Sequence, residues 1–182
     1  GTARGTLRLN GTHTDVSVEV QASELDVKAR YEPIPYPLAF QGGRFAYRSD
    51  GVDMHEVDVA IGNSRLSRVD LAIGMDSDRD LHLEGAAPEA LVDLAESFNI
   101  CRNIPGLEFF RAVEGRVSLR NAQFAGKALK PETWRFRSEG VIQNLHVDSG
   151  LLPAPLKVAS GPFEWRGTVV RCEGWDVSLG ES

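Results

Sequence analysis

The sequence predicts a mainly β protein, a curled antiparallel meander of about ten to twelve strands with one short amphipathic helix near 88–98. Three observations lead there. Apolar and polar residues alternate with period two along most of the chain, turn signals recur about every ten residues, and one segment alone has helical spacing.

Taken in order, Val16, Val18 and Val20 alternate with Ser17 and Glu19. Val57, Val59 and Ile61 alternate with Asp58 and Ala60, and Val69, Leu71 and Ile73 with Asp70 and Ala72. The same rhythm runs through Leu81-His82-Leu83, Val117-Ser118-Leu119, Trp134-Arg135-Phe136, Leu145-His146-Val147 and Phe163-Glu164-Trp165. Turns are expected at Asn10-Gly11, Ser49-Asp50-Gly51, Gly62-Asn63-Ser64, Asp148-Ser149-Gly150 and Arg166-Gly167, where residues tolerant of positive φ cluster. From Pro88 to Phe98 the rhythm changes. Leu91, Leu94, Ala95 and Phe98 fall on one helical face, with Glu89, Asp93 and Glu96 opposite. Pro88 suits the first position of such a helix, and Glu89 suits the positive end of its dipole. An irregular connection is expected from Asn99 to Phe110.

Alternation gives every strand one apolar face, which must be taken out of water. A helix of about three turns covers only a few strands. The sheet must therefore curl into a sandwich, barrel, taco or gutter, or cover its face with a ligand or another chain.

Composition narrows the function classes. With 42% hydrophobic and 25% charged residues and a mean hydropathy of −0.22, the chain has enough apolar side chains for a core and too many charges for a membrane-embedded protein. The net charge is −6 and no basic run occurs, so nucleic acid, which requires a positive stripe, is not an expected partner. No stretch approaches the roughly 20 apolar residues of a membrane span, and no signal peptide is visible. The opening Gly1-Thr2-Ala3-Arg4-Gly5 lacks a starting Met and runs straight into a strand pattern, so the chain reads as a segment of a larger protein. Cys101 and Cys172 are too few for a disulfide framework. They read as two small buried apolar residues, with pairing as the alternative in an oxidising compartment.

The chain also repeats itself as one β-rich segment, 1–182, whose stretch 34–64 matches 152–182 without a gap at an offset of 118. Identical pairs are Pro35/Pro153, Pro37/Pro155, Leu38/Leu156, Gly43/Gly161, Phe45/Phe163, Arg48/Arg166, Val52/Val170, Asp58/Asp176, Val59/Val177, Gly62/Gly180 and Ser64/Ser182. Unrelated sequences of this composition would share about two. The second copy is expected to be truncated by the C-terminus, leaving a last strand whose edge is open to self-association.

Chemistry-bearing motifs are missing. His13, His55, His82 and His146 are scattered without metal-ligand spacing, and no nucleophile elbow, P-loop or dinucleotide fingerprint occurs. Asp76-Ser77-Asp78-Arg79-Asp80 opens like a calcium loop, but Leu81 replaces the turn glycine and Ala87 the bidentate glutamate, so a polar hairpin is expected. Gly42-Gly43 reads as a bulge or turn. No enzyme, cofactor or metal is expected. The side chains expected to line an apolar groove are Val57, Val59, Ile61, Val69, Leu71, Ile73, Leu81, Leu83, Val117, Leu119, Phe163 and Trp165. The aromatic residues also admit a carbohydrate-binding β-sandwich as an alternative.

Ile34-Pro-Tyr-Pro-Leu, Gly43-x-Phe-x-Tyr47 and Val-x-Ile-Gly62-x-Ser64, with the second copy at 152–182 and Leu-x-Leu-x-Gly85 before Pro88, resemble the AsmA-like, TamB-related family of repeating β-groove lipid-transfer proteins. The resemblance implies a taco-shaped sheet whose concave face carries phospholipid acyl chains between inner and outer membranes. It further implies a periplasmic location, an inner-membrane anchor in the parent protein and no catalytic residues. A scaffold that assembles outer-membrane proteins by pairing strand edges is the alternative role.

Overall fold

The alternating segments become one sheet of eleven antiparallel strands in a computed structural model, which describes all residues except 13–14, 33, 49–50, 76–79, 103–106, 128–129 and 181–182. The strands are β1 (Thr2–Thr12), β2 (Asp15–Tyr31), β3 (Ile34–Arg48), β4 (Gly51–Ile61), β5 (Ser64–Met75), β6 (Leu81–Asp93), β7 (Phe110–Lys127), β8 (Lys130–Ser149), β9 (Leu156–Gly167), β10 (Val169–Cys172) and β11 (Val177–Leu179). One helix, α1 (Leu94–Cys101), lies between β6 and β7. Strand order follows chain order from β1 to β10, and β11 pairs with β9 beside β10. Because β1 pairs only with β2 and the β10–β11 side only with β9, the sheet does not close. It is a curled single layer, not a two-sheet sandwich.

Directly paired residues in an antiparallel ladder point to the same face. One such row runs Gly5, Ala22, Phe45, Met54, Leu71, Gly85, Phe124, Phe136 from β1 to β8. A second runs Val27, Phe40, Val59, Leu66, Ala90, Leu119, Gly140, Phe163 from β2 to β9. Both rows belong to one face, although Met54 and Val59 are an odd number of residues apart. A phase-reversing kink between the rows makes this possible.

The kink is written into nearly every strand. Glu24, Glu56, Arg68, Asn121 and Asn144 are the non-glycine residues with positive φ (50–53°) among those described, one each in β2, β4, β5, β7 and β8. Gly42 and Gly43 (φ 69° and 58°) do the same in β3, as the Gly-Gly pair suggested. A left-handed residue is costly for a side chain bearing a Cβ, by about 1–2 kcal/mol. Two of the kinks are fastened from the neighbouring strand: the Glu56 N–H donates to Asp70 Oδ1 at 3.1 Å, and the Arg68 N–H to Asp58 Oδ1 at 2.8 Å. Leu25, Val57, Val69 and Leu145 each follow a kink residue directly, and all are buried. The apolar face is therefore the inside of the bend.

The internal repeat reappears as equal pairing. Leu38 faces Ile61 and Phe45 faces Met54 in β3–β4, while Leu156 faces Leu179 and Phe163 faces Cys172 at the same 118-residue offset. The Gly62 N–H donates to the Pro37 carbonyl at 3.1 Å, and the Gly180 N–H to the Pro155 carbonyl at 2.9 Å. The second copy differs in one respect. The equivalent of β4 is broken into β10 and β11 by Glu173–Asp176, with Trp175 folded back over Gly161 and its Nε1–H on the Pro162 carbonyl at 2.7 Å.

Three expectations need correction. The helix begins at Leu94, six positions beyond Pro88, and ends at Cys101. Residues 88–93 continue β6, because Ala90 and Val92 keep the apolar face and pair with Leu119 and Val117. Pro88 sits on the kink line, where no ladder pair is made and its missing N–H costs nothing. Asn10-Gly11 is not a turn; the pair belongs to β1 opposite Ser17 and Val16, because the alternation continues to Thr12. Cys172 is exposed on an edge strand and Cys101 half-buried, and neither is bonded. The last edge is split into β10, of four residues, and β11, of three, whereas β1 forms the other edge over eleven.

Candidate functional site

Among the described residues, no second layer lies over the apolar face. The accessible surface is 12574 Å², whereas a compact monomer of 19.9 kDa exposes about 8,700 Å². The excess arises because a single bent sheet has no second layer. All twelve residues expected to line a groove fall on that face: Val57, Val59 and Ile61 from β4; Val69, Leu71 and Ile73 from β5; Leu81 and Leu83 from β6; Val117 and Leu119 from β7; Phe163 and Trp165 from β9. Val57, Val69 and Val117 are buried at the bend or in the core, Leu81 is exposed, and the other eight are half-buried.

The face is not uniform. Its β3–β6 half presents Val52, Met54, Leu71, Ile73 and Leu83. Its β7–β9 half carries an aromatic series, Phe124–Trp134–Phe136–Trp165, with successive ring centroids 6.2, 5.7 and 4.9 Å apart. Glycines make room for it. A Cβ on Gly85 would lie 2.5 Å from Phe124 Cζ, one on Gly126 2.8 Å from Trp134, and one on Gly140 2.8 Å from Phe163. The rings thus lean over backbone of the adjacent strand and widen the floor without protruding far. Trp165 Nε1–H is satisfied internally by the Gly167 carbonyl at 2.8 Å. Sequence reasoning places Trp134 and Phe136 on an alternating strand but does not single out Met54 or Phe124, and only cross-strand register ties the four to this floor.

The two ends of the trough differ. At one end lie α1 and the β4–β5 turn, above a core of Val117, Ile142, Leu145, Val147 and Val158 against which Leu94 packs. The helix is fastened by a shared cap. Asp93 is its N-cap and receives the Glu96 N–H at 3.1 Å, while the Asp93 N–H is taken by Ser64 Oγ at 3.0 Å. The buried Glu96 carboxylate in turn accepts the Asn63 N–H on both oxygens, at 2.9 and 2.8 Å. The usual reciprocal capping box is therefore split between the helix and a turn of the sheet. At the far end of α1, Asn99 Nδ2–H donates to Tyr36 Oη of β3 at 2.9 Å.

The other face is polar. Asp53, His55, Asp70, Glu84, Arg135 and Arg137 border an open trough of about 480 Å³ there. His55 Nδ1 lies 3.5 Å from Asp70 Oδ1, but both side chains are more than half exposed and no Ser, Thr, Cys or Lys lines that trough. Asp80 receives Lys127 Nζ at 2.9 Å and Lys130 Nζ at 2.5 Å, and those two ammonium groups hold its carboxyl below the usual value of 3.8. Asp76 to Arg79 of the calcium-like run lie outside the described residues. Among the described residues no cluster of His, Cys, Asp and Glu has the grouping of a metal site, and no helix is long and apolar enough to cross a membrane.

No protein-family model, curated protein or solved structure matches this chain.

Proposed function

We propose that this chain is a non-enzymatic segment of an AsmA-like, TamB-related β-groove protein, and that its concave face shields phospholipid acyl chains during transfer between membranes. The observation that carries this reading is the uncovered apolar face, in a molecule with roughly half again the surface of a compact one. Each acyl CH₂ laid against such a face gains about 0.8 kcal/mol from leaving water. The attraction is non-directional, so a chain can slide along Leu71, Leu83, Phe124 and Trp165 without meeting one tight site. The headgroup stays in solvent at the open seam. In this reading the parent protein is periplasmic and anchored in the inner membrane.

Denaturing the purified protein and analysing the extract by mass spectrometry tests the proposal. Phospholipid in near-stoichiometric amount is the expected result; a lipid-free extract from protein prepared without detergent contradicts it. A scaffolding role, in which an edge pairs with strands of outer-membrane proteins, draws support from the eleven-residue open edge of β1. Cross-linking from β1 separates the two readings, because scaffolding predicts protein adducts there.

A further inference from the structure

We propose that α1 is a latched stopper that closes one end of the trough, so that chains enter at the opposite end past Leu7, Tyr47, Met75 and Leu81. This rests on the groove reading above and concerns how that groove is opened.

An eight-residue helix has no stability of its own in water, so α1 exists because the sheet holds it. It is held by Leu94 packed against the core and by a few polar contacts. Its N-terminus is tied to the β4–β5 turn through Ser64 Oγ, which takes the Asp93 N–H and reaches Glu96 Oε2 at 3.5 Å, and through the Glu96 carboxylate on the Asn63 N–H. Gly62 is fitted to this contact, since a Cβ there would come within 2.3 Å of Glu96 Oε1. Its other end touches β3 through Tyr36. The helix thus reaches from the β3–β5 side to β7, which bounds the trough at that end. A short element with little core packing and few hydrogen bonds to the sheet opens locally before the sheet does.

At the other end the apolar face of β1, β3, β5 and β6 comes into water, as that of β11 does at Val177 and Leu179 on the far flank of the sheet. Leu7, Tyr47, Met75 and Leu81 all belong to it by register, yet are 62, 43, 63 and 43% exposed. The next residues inward on β3, β5 and β6, Phe45, Ile73 and Leu83, are half-buried. Among the described residues, a chain can therefore reach the β3–β6 floor past Tyr47, Met75 and Leu81 without displacing α1, whereas from the α1 end of that floor it must first break the latch.

The test pairs hydrogen exchange of the α1 amides with binding of cis-parinaric acid, a fluorescent acyl chain, to the intact protein. Ser64→Ala with Glu96→Gln should speed α1 exchange about tenfold or more while leaving β7 and β8 protected. The same variant should bind several-fold more probe than the parent. Asn99→Ala, which cuts only the Tyr36 contact, should move both readouts in the same direction by less. Met75→Glu at the open end should slow probe uptake several-fold with α1 exchange unchanged. Faster α1 exchange with no gain in probe binding overturns the stopper, unchanged α1 exchange overturns the latch, and unaltered uptake in Met75→Glu overturns the route. If neither parent nor variants bind the probe, the groove reading itself fails.

Discussion

The kink residues carry much of the shape. Glu56 and Arg68 hold left-handed backbone at φ 53° and 50°, and their N–H groups are taken by Asp70 and Asp58 across the strand boundary. Removing one of these carboxylates leaves its backbone donor to water, so Asp70→Ala should cost on the order of 1 kcal/mol in urea unfolding. The line of kinks was not legible in the sequence, because Glu and Arg carry no local signal for positive φ. The trace they leave is an odd spacing between apolar residues, Met54 to Val57 and Leu66 to Val69, where strict alternation would have reversed the face. On the trough floor, Val59→Asp and Leu71→Asp place an unpaired charge where an acyl chain would lie. Each should abolish bound phospholipid, measured by extraction and mass spectrometry, with the circular-dichroism signature of the sheet retained.

Strands were easier to anticipate than the helix. The alternations at 57–61, 69–73, 81–83 and 117–119 each mark part of a real strand, because one-sided burial enforces period two. The helix was displaced because Pro88 and Glu89 have the chemistry of a helix start, yet Ala90 and Val92 pair with β7 in unbroken register. Only Asp93, with its side chain on the Glu96 N–H, stops the strand and starts the turn. Gly62-Asn63-Ser64 was recognised as a turn, but its grip on α1 needed the third dimension. Gly62→Ala should destabilise the protein by more than about 1 kcal/mol, since it both clashes with Glu96 and imposes a Cβ at φ 57°. At the hairpin end, Asp80 ties the start of β6 to Lys127 and Lys130. Its carboxyl titrates below 3.8, so this contribution is fully present above that value and is lost as pH falls through the lowered one. The stability difference between the parent and Asp80→Asn should be flat above about pH 5 and shrink toward zero in acid.

At the scale of the molecule, a bent sheet with no second layer leaves an apolar face partly wet. The repeat made part of this visible in advance, since β3–β4 and β9 with β10–β11 share one register at an offset of 118 residues. The break at Glu173–Asp176 and the direction of the bend were not visible, because neither follows from pattern alone. What touches that face distinguishes a lipid groove from a protein-binding surface. A photo-reactive residue at Leu71, on the concave side, and another at adjacent Ala72, on the opposite side, compare the two faces within one strand. Irradiation in cells should give phospholipid adducts from position 71 and none from position 72. Protein adducts alone at 71, or equal lipid labelling from both positions, would contradict the lipid groove.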